Sequence, residues 1–241
     1  MTGARSADLL ARLAEDPSRA ALFLDVDGVL APIVPRPEDA RVPDETRAEL
    51  RRLSERYALV ACISGRAGED ARRIVGVPEL TYVGNHGLEL EPDVDEWATR
   101  LHDFLASVEW PRLEDKVLTA AFHYRGAPDE GAAHAELEQI AERARAAGFV
   151  ARFGRKVLEL VPPIEANKGT AIRRLLTEHK LARALFAGDD TTDLDGFRAL
   201  DGLDLAVRVA VSSDEGPADL RSAADLVVRS PQEFLAVLRS L

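Results

Sequence analysis

The sequence predicts an α/β chain, a doubly wound parallel sheet with a smaller α+β block inserted into it. Three observations carry this. Short apolar runs alternate with segments of helical period, the pattern of parallel strands joined by helical crossovers. Between residues 90 and 163 the pattern changes to two helices among antiparallel-type strands. The alternation then resumes to the end of the chain, so both ends build one sheet. The expected division is a core of residues 1–89 and 164–241 and an insert of residues 90–163.

The elements run in order. Residues 21–26, Ala-Leu-Phe-Leu-Asp-Val, read as a buried strand. Pro43 and Asp44 open a helix to residue 57, with Leu50, Leu53 and Tyr57 on one face. Residues 59–63 form a second buried strand that ends at Ser64-Gly65, and a short helix runs to Val75. Residues 81–83 form a third strand, ending at Gly84-Asn85-His86-Gly87. In the insert, residues 93–108 read as a helix and 117–124 as a strand. Residues 129–147 read as a second helix, stopped by Gly148. Residues 149–153 and 156–161 form a hairpin around Gly154-Arg155. Asn167 caps the next helix, with Ile172, Leu175, Leu176 and His179 on one face. A strand at 184–187 ends at Gly188-Asp189-Asp190. A helix at 194–200 and weaker strands near 205–211 and 225–228 complete the pattern.

Composition excludes several function classes. The chain has 241 residues, and a net charge of −11 argues against nucleic acid and anionic membrane surfaces as partners. It leaves room for a small anionic substrate, because a metal or a few cations can reverse the field in one pocket. One cysteine, Cys62, excludes a disulfide framework and a cysteine-based zinc site. No apolar run approaches the ~18 residues of a membrane span. The first twenty residues lack the apolar core of a signal peptide. A cytoplasmic protein with no obligate protein partner is the expectation.

The chemistry gathers at strand ends, where doubly wound sheets bind ligands. Asp25-Val-Asp27-Gly28, Ser64-Gly65-Arg66, Asn85-His86-Gly87 and Gly188-Asp189-Asp190-Thr-Thr-Asp193 each follow an apolar run, and Asn167-Lys168-Gly169 opens a helix. Two carboxylates close together repel by about 4 kcal/mol at 4 Å and an effective dielectric of 20. A cation offsets that. Carboxylates from two strands suit Mg²⁺, a hard ion that prefers oxygen ligands and retains water and substrate phosphate. Ser64 offers a hydroxyl to a phosphate oxygen. Lys168 adds a full charge at a helix N-terminus, which itself favours anions. The set reads as a site for a phosphoryl group. A carboxylate nucleophile divides that slow reaction into two steps, and a second carboxylate acts as general acid and base.

At these residues the chain resembles the haloacid-dehalogenase superfamily of phosphatases, a Rossmann-like core with an inserted cap of the C2 type. Asp25-Val-Asp27-Gly28-Val29-Leu30 is similar to its first motif, and Ser64, Lys168 and Asp189…Asp193 to the other three, in order. The likeness extends to the trehalose-6-phosphate phosphatases through Ser64-Gly65-Arg66, Asn85-His86-Gly87, His123-Tyr124-Arg125, Gly154-Arg155…Glu159, Asn167-Lys168-Gly169 and Gly188-Asp189-Asp190-Thr191-Thr192-Asp193. It spans about residues 20–200.

The resemblance implies roles. Asp25 is the nucleophile and a metal ligand. Asp27 is the acid/base and gives its backbone carbonyl to Mg²⁺, and Asp189 is the third ligand. Asp190 and Asp193 are outer carboxylates that orient the metal. Ser64, Gly65 and Lys168 hold the phosphoryl oxygens. Arg66, Asn85, His86, His123, Arg125, Arg155 and Glu159 bind the sugar. Strand parity sets Arg155, Val157 and Glu159 on one cap face, and His123 and Arg125 on one face of their strand. Four positions depart from the family pattern. Val29 stands for the commoner Thr, Arg155 for Lys, Val161 for a basic residue and Leu194 for an acid. The implied substrate is a small sugar phosphate, trehalose 6-phosphate first. Other sugar or glycosyl phosphates, a phosphomutase and a non-catalytic sensor are the alternatives.

Overall fold

The computed structural model describes residues 2–212 and 216–241. In chain order the elements are α1 Thr2–Glu15, β1 Ala21–Leu24, α2 Asp44–Arg56, β2 Leu59–Ile63, α3 Gly68–Val75 and β3 Thr81–Val83. Then come α4 Val94–Leu105, β4 Leu113–Asp115, β5 Ala120–His123, α5 Glu130–Ala146, β6 Val150–Gly154 and β7 Val157–Val161. Last are α6 Lys168–Glu178, β8 Arg183–Gly188, α7 Leu194–Ala199, β9 Leu205–Val211, α8 Ala218–Ala223, β10 Leu226–Val228 and α9 Pro231–Arg239. The chain divides into two compact units, residues 1–87 with 166–241, and residues 88–165.

The first unit is built on parallel strands in the order β10-β9-β8-β1-β2-β3. Its central strands read as unbroken apolar runs because both faces are covered: every residue of β1 and β2 is buried. The register aligns their ends. Leu24, the last residue of β1, pairs with Cys62 on β2 and with Ala187 on β8. One edge of the sheet therefore carries, side by side, the loops that leave β8, β1, β2 and β3. The chain leaves β1 for β2 on one side and reaches β8 on the other, so this edge is a topological switch point. Leu13, Leu22, Leu50, Ile74, Val207 and Phe234 belong to the apolar core of this unit.

The second unit pairs its strands in the order β4-β5-β7-β6, all antiparallel. One face packs Phe122, Leu158 and Leu160 against Leu101 of α4 and Leu137 and Ile140 of α5. The alternate residues of β7, Val157, Glu159 and Val161, point to the other face.

Several sequence expectations need correction. The strand expected at 117–124 begins only at Ala120. Residues 116–119 turn back on themselves, with Lys116 N–H donating to the Thr119 carbonyl, and Val117 holds φ +70°. The new partner strand is β4, which the sequence reading did not foresee. The hairpin turn lies at Arg155-Lys156, one residue later than expected, so neither residue stands on a strand. His179 ends α6 on its exposed side, away from Ile172, Leu175 and Leu176. Helices α1, α8 and α9 were not foreseen. Among the described residues no helix is long and apolar enough to cross a membrane.

Candidate active site

Asp25 is the first residue past β1. Its N–H donates to the Ala187 carbonyl, so the ladder still fixes its backbone. The side chain is buried, and one oxygen meets Lys168 Nζ at 3.0 Å. Lys168 opens α6, whose N-cap Asn167 forms a capping box with Thr170. That cap fixes the helix start and with it the lysine. The Lys168 side chain is 2% exposed, and Nζ makes a second ion pair, at 2.6 Å, with Asp193.

Asp193 is fully buried and uses both oxygens. Oδ1 takes Lys168, while Oδ2 accepts the N–H groups of Asp189 and Asp190 at 2.8 and 3.0 Å. The side chain thus holds the loop after β8 in shape. Carboxylate oxygens of Asp25, Asp189 and Asp193 lie within 4.8 Å of one another and could hold a metal ion. Burial first, then the neighbouring carboxylates, push Asp189 up to about 8. Burial also pushes Asp25 up, to about 6, against the pull of Lys168. Lys168 is held above its ordinary value, because its two carboxylate partners outweigh the burial that opposes its charge. Three carboxylates face one lysine, which leaves a deficit of two positive charges when all are ionised.

Gly28 is required by this packing. It sits at φ +76°, and a Cβ there would lie 2.1 Å from an Asp189 carboxylate oxygen. Residues 26–31 fold back as a turn, with the N–H groups of Leu30 and Ala31 on the Val26 carbonyl.

The loops after β2 and β3 are tied together. Asn85 N–H donates to the Arg66 carbonyl, and His86 N–H to the Ser64 carbonyl. Asn85 and His86 both hold positive φ, and Gly87 comes next at φ +106°. The His86 ring lies over Gly65, where a Cβ would come within 2.7 Å of it. Ser64 is 1% exposed, and its Oγ accepts the Arg66 N–H at 3.1 Å. That leaves the hydroxyl proton to donate.

The sheet edge therefore gathers Asp25, Asp27, Ser64, Gly65, Arg66, Asn85, His86, Lys168, Asp189 and Asp193. Two residues stand differently from expectation. Asp190 is exposed, and its carboxylate accepts the Thr191 N–H as a local cap, outside the acidic cluster. Arg66 spends its guanidinium on Asp27 and Asp70.

In the second unit, His123 Nε2 meets Glu114 Oε2 at 3.0 Å. Glu159 is exposed, and its cross-strand neighbours are Ala121 and Arg152. Directly opposed residues share a face, so Glu114, His123, Arg152 and Glu159 lie on the face away from the helices. Arg125 lies just past the end of β5, and Arg155 lies in the turn, where its carbonyl accepts from Arg125 Nη2. Sequence reasoning missed Arg152, Glu114 and Asp70. Register would have found the first two, and the i, i+4 spacing from Arg66 the third.

A family model described as trehalose-phosphatase matches residues 23–232. The chain belongs to the trehalose-phosphatase family. The match runs from β1 to the start of α9, so it takes in the whole second unit and most of the first. A rice (Oryza sativa subsp. japonica) protein named probable trehalose-phosphate phosphatase 2 is 29% identical over 92% of this chain and 68% of its own length. A Mycobacterium marinum trehalose-phosphate phosphatase is 32% identical over 88% of this chain and 59% of its own. The chain thus spans less than two thirds of that mycobacterial relative. Among solved structures, a trehalose-6-phosphate phosphatase related protein superposes with a TM-score of 0.66 at 25% identity, covering 91% of this chain and 95% of its own. A haloacid dehalogenase-like hydrolase from Bacteroides thetaiotaomicron shares the fold, with a TM-score of 0.60 at 16% identity over 92% of this chain and 99% of its own.

Proposed function

We propose that the chain hydrolyses trehalose 6-phosphate to trehalose and phosphate, with Mg²⁺ bound and through a phosphoryl group carried on Asp25. The observation that carries this reading is the buried Asp25 carboxylate, set on Lys168 at 3.0 Å beside the carboxylates of Asp189 and Asp193. Family membership supports the same substrate class.

The donor set fits a divalent ion. It is all oxygen, Asp25 and Asp193 are buried with Asp189 half-buried beside them, and burial and the neighbouring carboxylates push Asp25 and Asp189 up. Asp25, Asp189 and the Asp27 backbone carbonyl would hold the ion. Bound there, Mg²⁺ supplies charge that keeps the carboxylates ionised and draws electrons from the phosphoryl oxygens.

The protein's own groups carry the rest. An Asp25 oxygen attacks phosphorus, and the bond from phosphorus to the sugar oxygen breaks. The leaving oxygen takes a proton from Asp27. Lys168 and the Ser64 hydroxyl hold the phosphoryl oxygens as charge moves. Asp27, now a carboxylate, takes a proton from water; the water oxygen attacks phosphorus, and the bond to Asp25 breaks. Free phosphate leaves and Asp25 is regenerated. His123, Arg125, Arg155 and Glu159 are the groups we assign to the sugar, with Asn85 and His86 from the first unit.

A phosphate-release screen with Mg²⁺ tests the reading. Trehalose 6-phosphate should react fastest among hexose and glycosyl phosphates. EDTA should stop release and added Mg²⁺ should restore it. A faster alternative sugar phosphate would replace the substrate, and phosphoryl transfer to a second sugar would make the enzyme a mutase. Indifference to EDTA would remove the metal.

A further inference from the structure

Asp27 lies three residues past the end of β1, where burial no longer fixes a side chain: its own is 39% exposed. A general acid must nevertheless point at one atom, the oxygen that leaves. We infer that Arg66 is the positioning residue that aims the Asp27 carboxylate, and not a residue that binds the sugar. The inference rests on the phosphatase reading above and deepens it.

The geometry is a planar fork. Arg66 Nε donates to Asp27 Oδ2 at 2.6 Å and Nη2 to Oδ1 at 2.8 Å. Two parallel bonds fix the carboxylate's rotation as well as its position, which a lysine does not do. The fork has a backstop. Arg66 Nη1 donates to Asp70 Oδ2 at 2.9 Å, from the first turn of α3, and Arg73 holds the other Asp70 oxygen. Burial raises the Asp70 carboxyl, but these two guanidinium groups outweigh it and hold the carboxyl below its ordinary value. The Arg66 side chain itself is 15% exposed, and Asp27 and Asp70 hold it firmly charged.

The main chain of Arg66 is fixed as tightly. Its N–H donates to Ser64 Oγ and its carbonyl accepts from Asn85 N–H at 2.7 Å. One residue therefore joins the serine assigned to the phosphoryl group to the carboxylate assigned to the leaving oxygen. Three of the five guanidinium N–H groups are committed to two carboxylates, so any contact with a sugar would fall to the remaining hydrogens of Nη1 and Nη2 and could not reorient the group without breaking charge-assisted bonds. A role through Asp27 uses those bonds as they stand.

The test separates positioning from binding and from bulk structure. Leaving-group release is measured in single turnovers, with enzyme in excess and Mg²⁺ present, on trehalose 6-phosphate and p-nitrophenyl phosphate. A sugar alkoxide needs the proton from Asp27, and p-nitrophenolate does not. Arg66→Gln should slow release from the sugar ester by roughly 30-fold or more, a share of the 10²–10⁴-fold typical of general acids. Release from the aryl ester should change by less than about threefold, and the KM for the sugar ester should hold within a similar range. Asp27→Asn combined with Arg66→Gln should be no slower than Asp27→Asn alone. Arg66→Lys, which keeps charge and bulk, should show the same pattern at smaller amplitude, and it replaces Arg66→Gln if that variant fails to fold. Three results overturn the inference: a raised KM with kcat intact, equal losses on both esters, or additive losses in the double variant. Wild-type protein that releases phosphate from no sugar phosphate overturns the phosphatase reading, and this inference with it. An active wild type with any of the three results overturns this inference alone.

Discussion

Lys168 and Asp193 show how one buried pair can serve a site and its scaffold together. Lys168 faces Asp25 on one side and Asp193 on the other, and neither partner is open to solvent. Removing one member of a buried pair leaves the other unpaired, which typically costs about 3–5 kcal/mol. Asp193 also accepts two backbone N–H groups of the loop that carries Asp189. Asp193→Ala should therefore lose roughly that much stability in denaturant unfolding, with turnover falling beside it. A stable but inactive variant would mean that Asp193 serves only the chemistry. Much of this was legible in the sequence, because strand-end acids and a lysine at a helix start are rare together by chance. What was not legible was how they divide their labour. Asp190 and Asp193 looked alike in sequence, yet one caps a turn in solvent and the other is the anchor of the loop. The two ion pairs of Arg66 were not legible, because one partner, Asp27, is distant in sequence and the other, Asp70, resembles an ordinary helix-start acid.

At the scale of elements, the buried parallel strands were the most legible. Their apolar runs have sharp ends, and β2, β3 and β9 fall where the patterns put them. The second unit was harder, for physical reasons. Val117 is a β-branched residue at φ +70° and 61% exposed, a position that its type disfavours. Nothing in sequence announces that turn, so the expected strand began three residues early and β4 was missed. The hairpin reading was off by one residue because Lys156, and not Gly154, takes the left-handed position. Such a shift removes Arg155 from the strand while leaving Glu159 on the open face. Helix α9 did carry signals, with Ser230 as N-cap and Pro231 as first residue, and Phe234, Leu235 and Leu238 buried. They went unread because the strand pattern before it is weak.

At the scale of the molecule, each unit has an apolar cluster of its own. The first unit carries the acidic cluster within a chain of net charge −11. The shifts set the sign of the resulting pH dependence. Asp25 and Asp189 are raised, to about 6 and about 8, so folding favours their protonated forms. Their contribution is full below the ordinary carboxylate range and is lost as pH rises through those values. Lys168 is raised from a value already alkaline, so it does not oppose this trend between pH 5 and 8. A divalent ion held there would bind the ionised forms and reverse the loss. Metal-free protein should therefore melt lower at pH 8 than at pH 5. Mg²⁺ at about a hundred times its dissociation constant should add roughly 5–10 °C at pH 8 and clearly less at pH 5. An equal Mg²⁺ effect at both pH values would mean that these carboxylates are not its ligands.

The central claim is that Asp25 attacks phosphorus. It is tested most directly by phosphate release from trehalose 6-phosphate, with Mg²⁺ present, comparing wild type with Asp25→Asn. The substitution keeps the shape of the side chain and relieves carboxylate repulsion, so the variant should stay folded. The account predicts that its turnover falls by roughly 10³-fold or more. A folded Asp25→Asn protein that releases phosphate within tenfold of the wild-type rate would contradict it.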